Sequence, residues 1–241
     1  MLSHFLFLYK LIMIKYFYGV EIMSLLFTII LKEAIVMASD SRTTYHNKDD
    51  SVRYVDTTYK TVLMDDKIGI SHCRNASFNG RSITDHLQDF MRIYKGRCIT
   101  RIPNLLKTYF NNLSPNLDVI FFVSGYYNNE PKFYRVYTKG DIETCKKPNI
   151  GQQFWDGERV VPSKLFGRVY YFDNGKYISH PDYKNKFASF DIHDSVKFIN
   201  YLYTTAEGYM SFFNCDQTIG GYIDILIIRP DFSYWYQKKN V

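Results

Sequence analysis

The chain has 241 residues, 46% of them hydrophobic, which suffices for a substantial core and excludes a disordered protein. Its 30 basic residues outnumber 24 acidic ones, but they are scattered in pairs such as Lys146-Lys147 and Lys238-Lys239. That is the pattern of a solvated surface and argues against a nucleic-acid partner. Cys73, Cys98, Cys145 and Cys215 form no CxxC and the histidines form no HExxH, so no metal or other cofactor is expected. Cysteines spread through a chain this long read as reduced, which points to a cytosolic setting.

Residues 1–23, MLSHFLFLYKLIMIKYFYGVEIM, are apolar and aromatic but interrupted by Lys10 and Lys15. A signal peptide carries its charge first and ends at a small-residue cleavage site, and a membrane span needs about 20 mainly apolar residues. The segment fits neither pattern, so a membrane partner is not expected unless residues 1–22 are retained. It reads as a cleaved propeptide, a membrane-associated leader, or translated sequence upstream of a start at Met23. The last is favoured, because a small residue after Met permits removal of the Met. Residues 24–241 are expected to form a single domain.

From Ser24 onward, Leu25 to Leu31 and Ala34 to Ala38 are apolar runs separated by Lys32-Glu33, which predicts a tight hairpin. Runs apolar on both faces suit a sheet covered on both sides. Thr43 to Tyr59 is polar and irregular. Tyr59 to Met64 and Ile68 to Cys73 read as strands about Asp65-Asp66-Lys67. A helix is expected over Ser77 to Tyr94, where Ile83, Leu87, Phe90 and Met91 recur at helical spacing, and Pro103 opens a second through Phe110. Leu117 to Ser124, Phe133 to Tyr137 and a short segment after Gly140-Asp141 read as strands. Cys145 to Pro162 reads as irregular, Ser163 to Tyr171 as a short helix and a bend, and 173–190 as polar loop. Asp191 to Phe212 predicts a long helix, with Asp191 or His193-Asp194 as candidate caps. Tyr222 to Ile228 and Phe232 to Gln237 close the chain as strands turned at Pro230-Asp231. This order fits an α+β fold, a four-layer αββα sandwich of two mainly antiparallel sheets.

Four stretches carry a resemblance: AIVMASDSRTT, KTVLMDDKIG, DVIFFVSGYYNNEPKFYRVYTKGDI and TAEGYMSFFNCDQTIGGYIDILIIRPD. Their order over roughly residues 24–237 resembles the proteasome β-subunit-like members of the N-terminal nucleophile (Ntn) hydrolases. The segment around Gly220-Gly221 is especially similar to small bacterial proteasome-like proteins. The resemblance implies cleavage of peptide or other amide bonds by a hydroxyl on the first residue of the mature chain, with that residue's own α-amine as base. Counting back from Asp40 places the nucleophile at Ser24. Asp40 and Lys60 match the aspartate and lysine that tune it, and Asp216 matches the aspartate before the Gly-Gly pair. The glycine that supplies the oxyanion N–H falls at Arg74 or Asn75. Arg42, Gly220 and Gly221 are structural support.

Two departures stand out. The serine before the Gly-Gly pair is Ile219, and the Gly-Ser-Gly segment near the nucleophile is matched by Gly151-Gln152-Gln153. The resemblance also implies a homo-oligomer. A catalytically inactive subunit that keeps the fold for assembly is the alternative, since Asp40 with Lys60 also reads as a structural ion pair, Ser24 as an ordinary strand start and Asp216 as a turn former. Cys73, beside the candidate site, reads as a small core residue.

Overall fold

In the computed structural model, which describes residues 24–46, 51–167, 170–173, 175–179, 186–213 and 216–240, the two apolar runs after Ser24 pair as an antiparallel hairpin. These strands are β1 (Leu25–Ile30) and β2 (Ile35–Ser39). Residues 1–23 and Cys215, on which expectations also fell, lie outside the described residues.

The polar stretch that follows is not irregular throughout. It contains a small hairpin of β3 (Thr43–His46) and β4 (Val52–Val55). Next come β5 (Thr61–Met64) and β6 (Ile68–Arg74), paired as expected. The first helix begins later than its apolar spacing suggested. Two short strands, β7 (Ser77–Phe78) and β8 (Arg81–Ser82), pair before α1 (Ile83–Ile93). Ser82 stops the extended chain because its hydroxyl accepts the Asp85 N–H while the Asp85 carboxylate accepts the Ser82 N–H, a reciprocal cap. Helix α2 (Ile102–Leu113) has Pro103 in its first turn. Then follow β9 (Val119–Tyr127), β10 (Glu130–Tyr137) and β11 (Ile142–Cys145).

The stretch expected to be irregular hides a strand, β12 (Gln153–Gly157), followed by α3 (Val160–Phe166). The polar loop likewise contains a hairpin of β13 (Tyr170–Asp173) and β14 (Lys176–Ser179). Helix α4 (Ile192–Ser211) is capped by Asp191, whose carboxylate accepts the Asp194 N–H. Strands β15 (Asp224–Ile228) and β16 (Ser233–Gln237) close the chain.

Two antiparallel five-stranded sheets result, one ordered β12-β1-β2-β15-β16 and the other β11-β10-β9-β6-β5. Alternation along β1 and β2 divides their residues between two cores. Leu26, Ile30, Ile35 and Met37 face Cys73, Ile120, Phe122 and Phe133 between the sheets. Leu25, Phe27, Ile29, Val36 and Ala38 face Val196, Ile199, Leu202 and Tyr203 of α4. The second sheet's outer face buries Phe121, Val123 and Ile70 against Leu87, Phe90, Leu106 and Phe110 of α1 and α2. The layers are helix, sheet, sheet, helix, and each fully buried Leu, Ile or Phe contributes about 1.5–3 kcal/mol. Among the described residues no helix is long and apolar enough to cross a membrane.

His72, on β6, is wedged under α1. Its Nε2 lies 3.1 Å from Thr84 Oγ1, and that hydroxyl gives its only proton to the Tyr59 carbonyl. Thr84 therefore accepts and His72 Nε2 donates. Burial, helped by the Lys60 charge, lowers its pKa from 6.5 to about 3. Between those values the unfolded chain holds a proton that the folded chain does not, so stability falls as pH drops. From pH 7 to pH 5 this one group is expected to cost about 2 kcal/mol. Urea unfolding at both pH values checks it: His72→Gln, which keeps a donor without the titration, should lose that much less than the wild type.

Candidate active site

Antiparallel pairing brings six strand ends to one end of the sandwich. Ser24 precedes β1, Asp40 follows β2, and Gly220-Gly221 lie just before β15. Gly157 ends β12, while Lys60 precedes β5 and Arg74 ends β6. The two sheets therefore each deliver part of one cluster.

At its centre is the Lys60 ammonium. Nζ lies 2.7 Å from Ser24 Oγ and 3.0 Å from both Asp40 carboxylate oxygens, and it also donates to the Arg42 carbonyl. Three N–H donors thus meet three acceptor groups. Ser24, Asp40 and Lys60 are only 2%, 1% and 2% exposed, so water cannot substitute for any of them. Asp40 is held in turn by three backbone N–H groups, from Leu25 at 3.1 Å, Arg42 at 3.1 Å and Gly220 at 3.4 Å.

Burial pushes the Asp40 carboxyl up and the Lys60 amine down, and the attraction between the two charges opposes both shifts. Burial likewise pushes the Cys73 thiol far above its ordinary value. Cys73 is a core residue between the sheets, and its thiol is too protonated to serve as a nucleophile.

Arg42 braces the cluster. Its guanidinium grips Asp56 with two bonds of 2.7 and 2.8 Å and reaches the Ile219 carbonyl at 3.2 Å. This pairing lowers the Asp56 pKa. Gly220 lies flat against that guanidinium, where a Cβ would come within 2.3 Å of Arg42 Cζ. At Gly221 a Cβ would meet Asp56 and Ser41 at 2.7 Å.

Arg74 has φ 76°, the left-handed conformation that glycine favours, at the position matched to a glycine. Its side chain turns away to Asp118, at 2.8 and 3.0 Å. The Asn75 N–H is committed to the Asp118 carbonyl at 3.1 Å. Alternation along β6 puts the Arg74 N–H on the opposite side, where the His72 N–H donates to the Lys60 carbonyl at 2.9 Å.

Two expectations meet a different geometry. Asp216 is 42% exposed, 3.4 Å from His46 Nε2, and makes no hydrogen bond to Ser24, Asp40 or Lys60. The segment beside the nucleophile is not Gly151-Gln152-Gln153. That stretch pairs with the far end of β1, Ile29 opposite Gln153, roughly 15 Å along the strand. The neighbour of Ser24 is Gly157-Glu158: the Glu158 N–H donates to the Ser24 carbonyl at 2.8 Å, and Gly157 pairs with Leu25. The signal available in the sequence was Asp156-Gly157-Glu158 directly ahead of a short helix, and it was lost because β12 itself was not recognised.

No protein-family profile and no curated relative matches the sequence. Among solved structures, a Gly-1 mutant of Anbu from Hyphomicrobium sp. strain MC1 matches with a TM-score of 0.62 at 12% identity, over 90% of this chain and 87% of that one. The chain has a proteasome-like fold.

Gly157 is the tightest point of the site. It has φ 90°, and a Cβ there would stand 1.6 Å from the Ser24 carbonyl oxygen. Gly80 has φ 75° with open space around it. Gly80→Ala is therefore expected to cost about 1–2 kcal/mol, the backbone term alone. Gly157→Ala adds overpacking and should cost about 2–5 kcal/mol. Paired urea melts of the two variants check the difference, and equal losses would show that β12 does not press on Ser24.

Proposed function

We propose that the protein is a proteasome-like Ntn hydrolase that cleaves amide bonds in peptides with Ser24 as its N-terminal nucleophile. The observation that carries this reading is the 2.7 Å bond between Lys60 Nζ and Ser24 Oγ within a cluster held by Asp40. In this sequence Ser24 follows Met23, so its nitrogen is an amide and not a base. Hydrolysis of the 23–24 bond frees an α-amine, whose ordinary pKa of about 7.7–8.0 suits proton transfer near neutrality.

The freed amine takes the Oγ proton as Oγ attacks the substrate carbonyl carbon, and the carbonyl electron pair moves onto oxygen. Lys60 supplies positive charge beside Oγ, and Asp40 fixes Lys60. The Arg74 N–H is the better placed of the two oxyanion candidates, because the Asn75 N–H is already spent on Asp118. Collapse breaks the C–N bond, the leaving amine takes the proton from the α-ammonium, and an ester on Ser24 remains. Water, deprotonated by the same amine, then attacks the ester, the C–Oγ bond breaks, the α-ammonium returns the proton to Oγ, and the acid leaves. Arg42, Gly220 and Gly221 keep the bracing roles described above. Residues 24–241 would be one working domain, assembling with copies of itself.

A second reading, a non-catalytic subunit, is favoured by two observations. Asp216 stands apart from Ser24, and Ile219 is buried in the core where the resemblance has a serine.

Mass spectrometry and an acylating β-lactone probe separate the readings. The native protein should begin at Ser24 and be labelled there. Ser24→Ala should lose labelling and peptide turnover while staying folded, at a stability cost of about 1–3 kcal/mol for the acceptor that Lys60 loses. Active material with an intact 23–24 bond, or turnover surviving in Ser24→Ala, would overturn the hydrolase.

A further inference from the structure

Behind the Lys60 cluster lies a second buried lysine–aspartate pair. Lys239 Nζ is 2.5 Å from Asp224 Oδ2, and the two side chains are 1% and 0% exposed. The Lys239 backbone N–H also donates to Asp224 Oδ1 at 3.0 Å, so one residue occupies both carboxylate oxygens. Lys239 stands beyond the end of β16, where no ladder requires it to dock. A lysine that leaves water outside a sheet has to be held by specific partners.

Those partners are the chain neighbours of the candidate site. Asp224 pairs with Ser39, the residue before Asp40. The Tyr59 hydroxyl donates to the Lys239 carbonyl at 3.3 Å, and the Tyr59 ring lies under Lys239 Nζ at 4.4 Å. Tyr59 is the residue before Lys60. The contact is continued by Ser39 Oγ, 2.8 Å from the hydroxyl of Thr61, the residue after Lys60. One residue from the C-terminal segment thus links β15, the neighbour of the strand that ends at Asp40, to the segment of the other sheet that presents Lys60.

We propose that Lys239 is a positioning residue for the Ser24 site: its clasp on Asp224 and Tyr59 fixes Lys60 against Asp40 and places a second cation behind it. The proposal rests on the Ser24 reading for its catalytic consequence but makes a claim about Lys60 that holds without turnover. Its electrostatics run the same way as its geometry. Burial is the main cause that lowers Lys60, Asp40 raises it, and Lys239 lowers it further. His72 and Asp56 also interact with Lys60. Lys239 is itself lowered by burial and raised by Asp224 and Asp40, so the two buried pairs interact with each other.

The test uses the full chain with lysine labelled at 13Cε and 15Nζ, the Lys60 signal being identified by its loss in Lys60→Arg. Lys239→Met removes the rear cation and should move the Lys60 titration to higher pH. Asp224→Asn removes the carboxylate that keeps Lys239 charged in its buried place, so it too should move the Lys60 titration to higher pH. Lys239→Arg keeps the charge and should leave Lys60 at the wild-type position. A purely structural clasp would not separate Lys239→Arg from Lys239→Met in this way. If both Lys239→Met and Asp224→Asn leave the Lys60 midpoint in place, or if Lys239→Arg moves it as far as Lys239→Met does, the proposal fails. Should Lys239→Met not fold, the sign of the Asp224→Asn shift and the Lys239→Arg rescue decide alone.

Labelling of Ser24 by the β-lactone is the second readout. It should fall about tenfold or more in Lys239→Met if Lys60 is displaced by a fraction of an ångström. A Lys60 shift without any Ser24 labelling in the wild type would sink the hydrolase and leave the positioning role standing. Unchanged Lys60 titration with normal labelling would do the reverse.

Discussion

A lysine ammonium with almost no access to water governs the arrangement of this protein. Taking such a charge from solvent costs several kcal/mol even after relaxation, and the cost is recovered only when every donor finds an acceptor. Lys60 meets that condition with Ser24 Oγ, the Asp40 carboxylate and the Arg42 carbonyl. Each acceptor stands at the edge of a different strand end or turn. The position of one nitrogen therefore constrains the start of β1, the end of β2, the approach to β3 and the start of β5 together. Asp40 extends the constraint by gathering N–H groups from Leu25, Arg42 and Gly220.

The sandwich makes such a site possible because its strands are antiparallel. In the first sheet the start of β1 lies beside the ends of β2 and β12, and the start of β15 lies beside the end of β2. In the second sheet the start of β5 lies beside the later part of β6. Packing the sheets through Leu26, Met37, Cys73 and Phe122 superposes these ends. The apolar core thereby sets where the polar cluster forms, and helices α1 and α4 on the outer faces exclude water from behind it. His72 shows the same layout from the other side, since its neutral ring bridges β6 to α1 through Thr84, whose hydroxyl also holds the Tyr59 carbonyl.

Much of this was legible from residue order. Leu25–Leu31 and Ala34–Ala38 announced a hairpin covered on both faces, and both cores they feed are present. Asp191 announced the start of α4, where its carboxylate caps the helix. Asp40 and Lys60 were found by resemblance, 20 residues apart in sequence and 3.0 Å apart in space. What stayed hidden has a common cause. Strand β12, QFWDG, sits at a sheet edge between glycines and prolines, and only its pairing with β1 makes it a strand. The β3–β4 and β7–β8 hairpins are polar and short, and neither belongs to a main sheet, so no apolar alternation marks them. Asp216 matched a sequence pattern, yet the turn that carries it points the carboxylate at His46. Spacing from a glycine pair does not fix where a loop side chain ends up.

That last difference bears on how the loop before β15 supports the site. The resemblance assigns the work to side chains at Asp216 and Ile219, and neither reaches Ser24, Asp40 or Lys60 here. The loop instead acts through its backbone. The Gly220 N–H reaches Asp40, the Gly220 carbonyl accepts the Ser41 N–H at 3.3 Å, and the Ile219 carbonyl accepts from Arg42. Backbone groups are present whatever the residue, so an isoleucine costs this loop none of those bonds and adds an apolar side chain to the core under α4. What cannot vary is the space at Gly220 and Gly221, because any Cβ there would collide with Arg42, Asp56 or Ser41. At this end of the sandwich the loop before β15 thus contributes backbone to a cluster whose side chains come from elsewhere in the chain, and the glycine pair is what allows Arg42 to lie against the loop it holds.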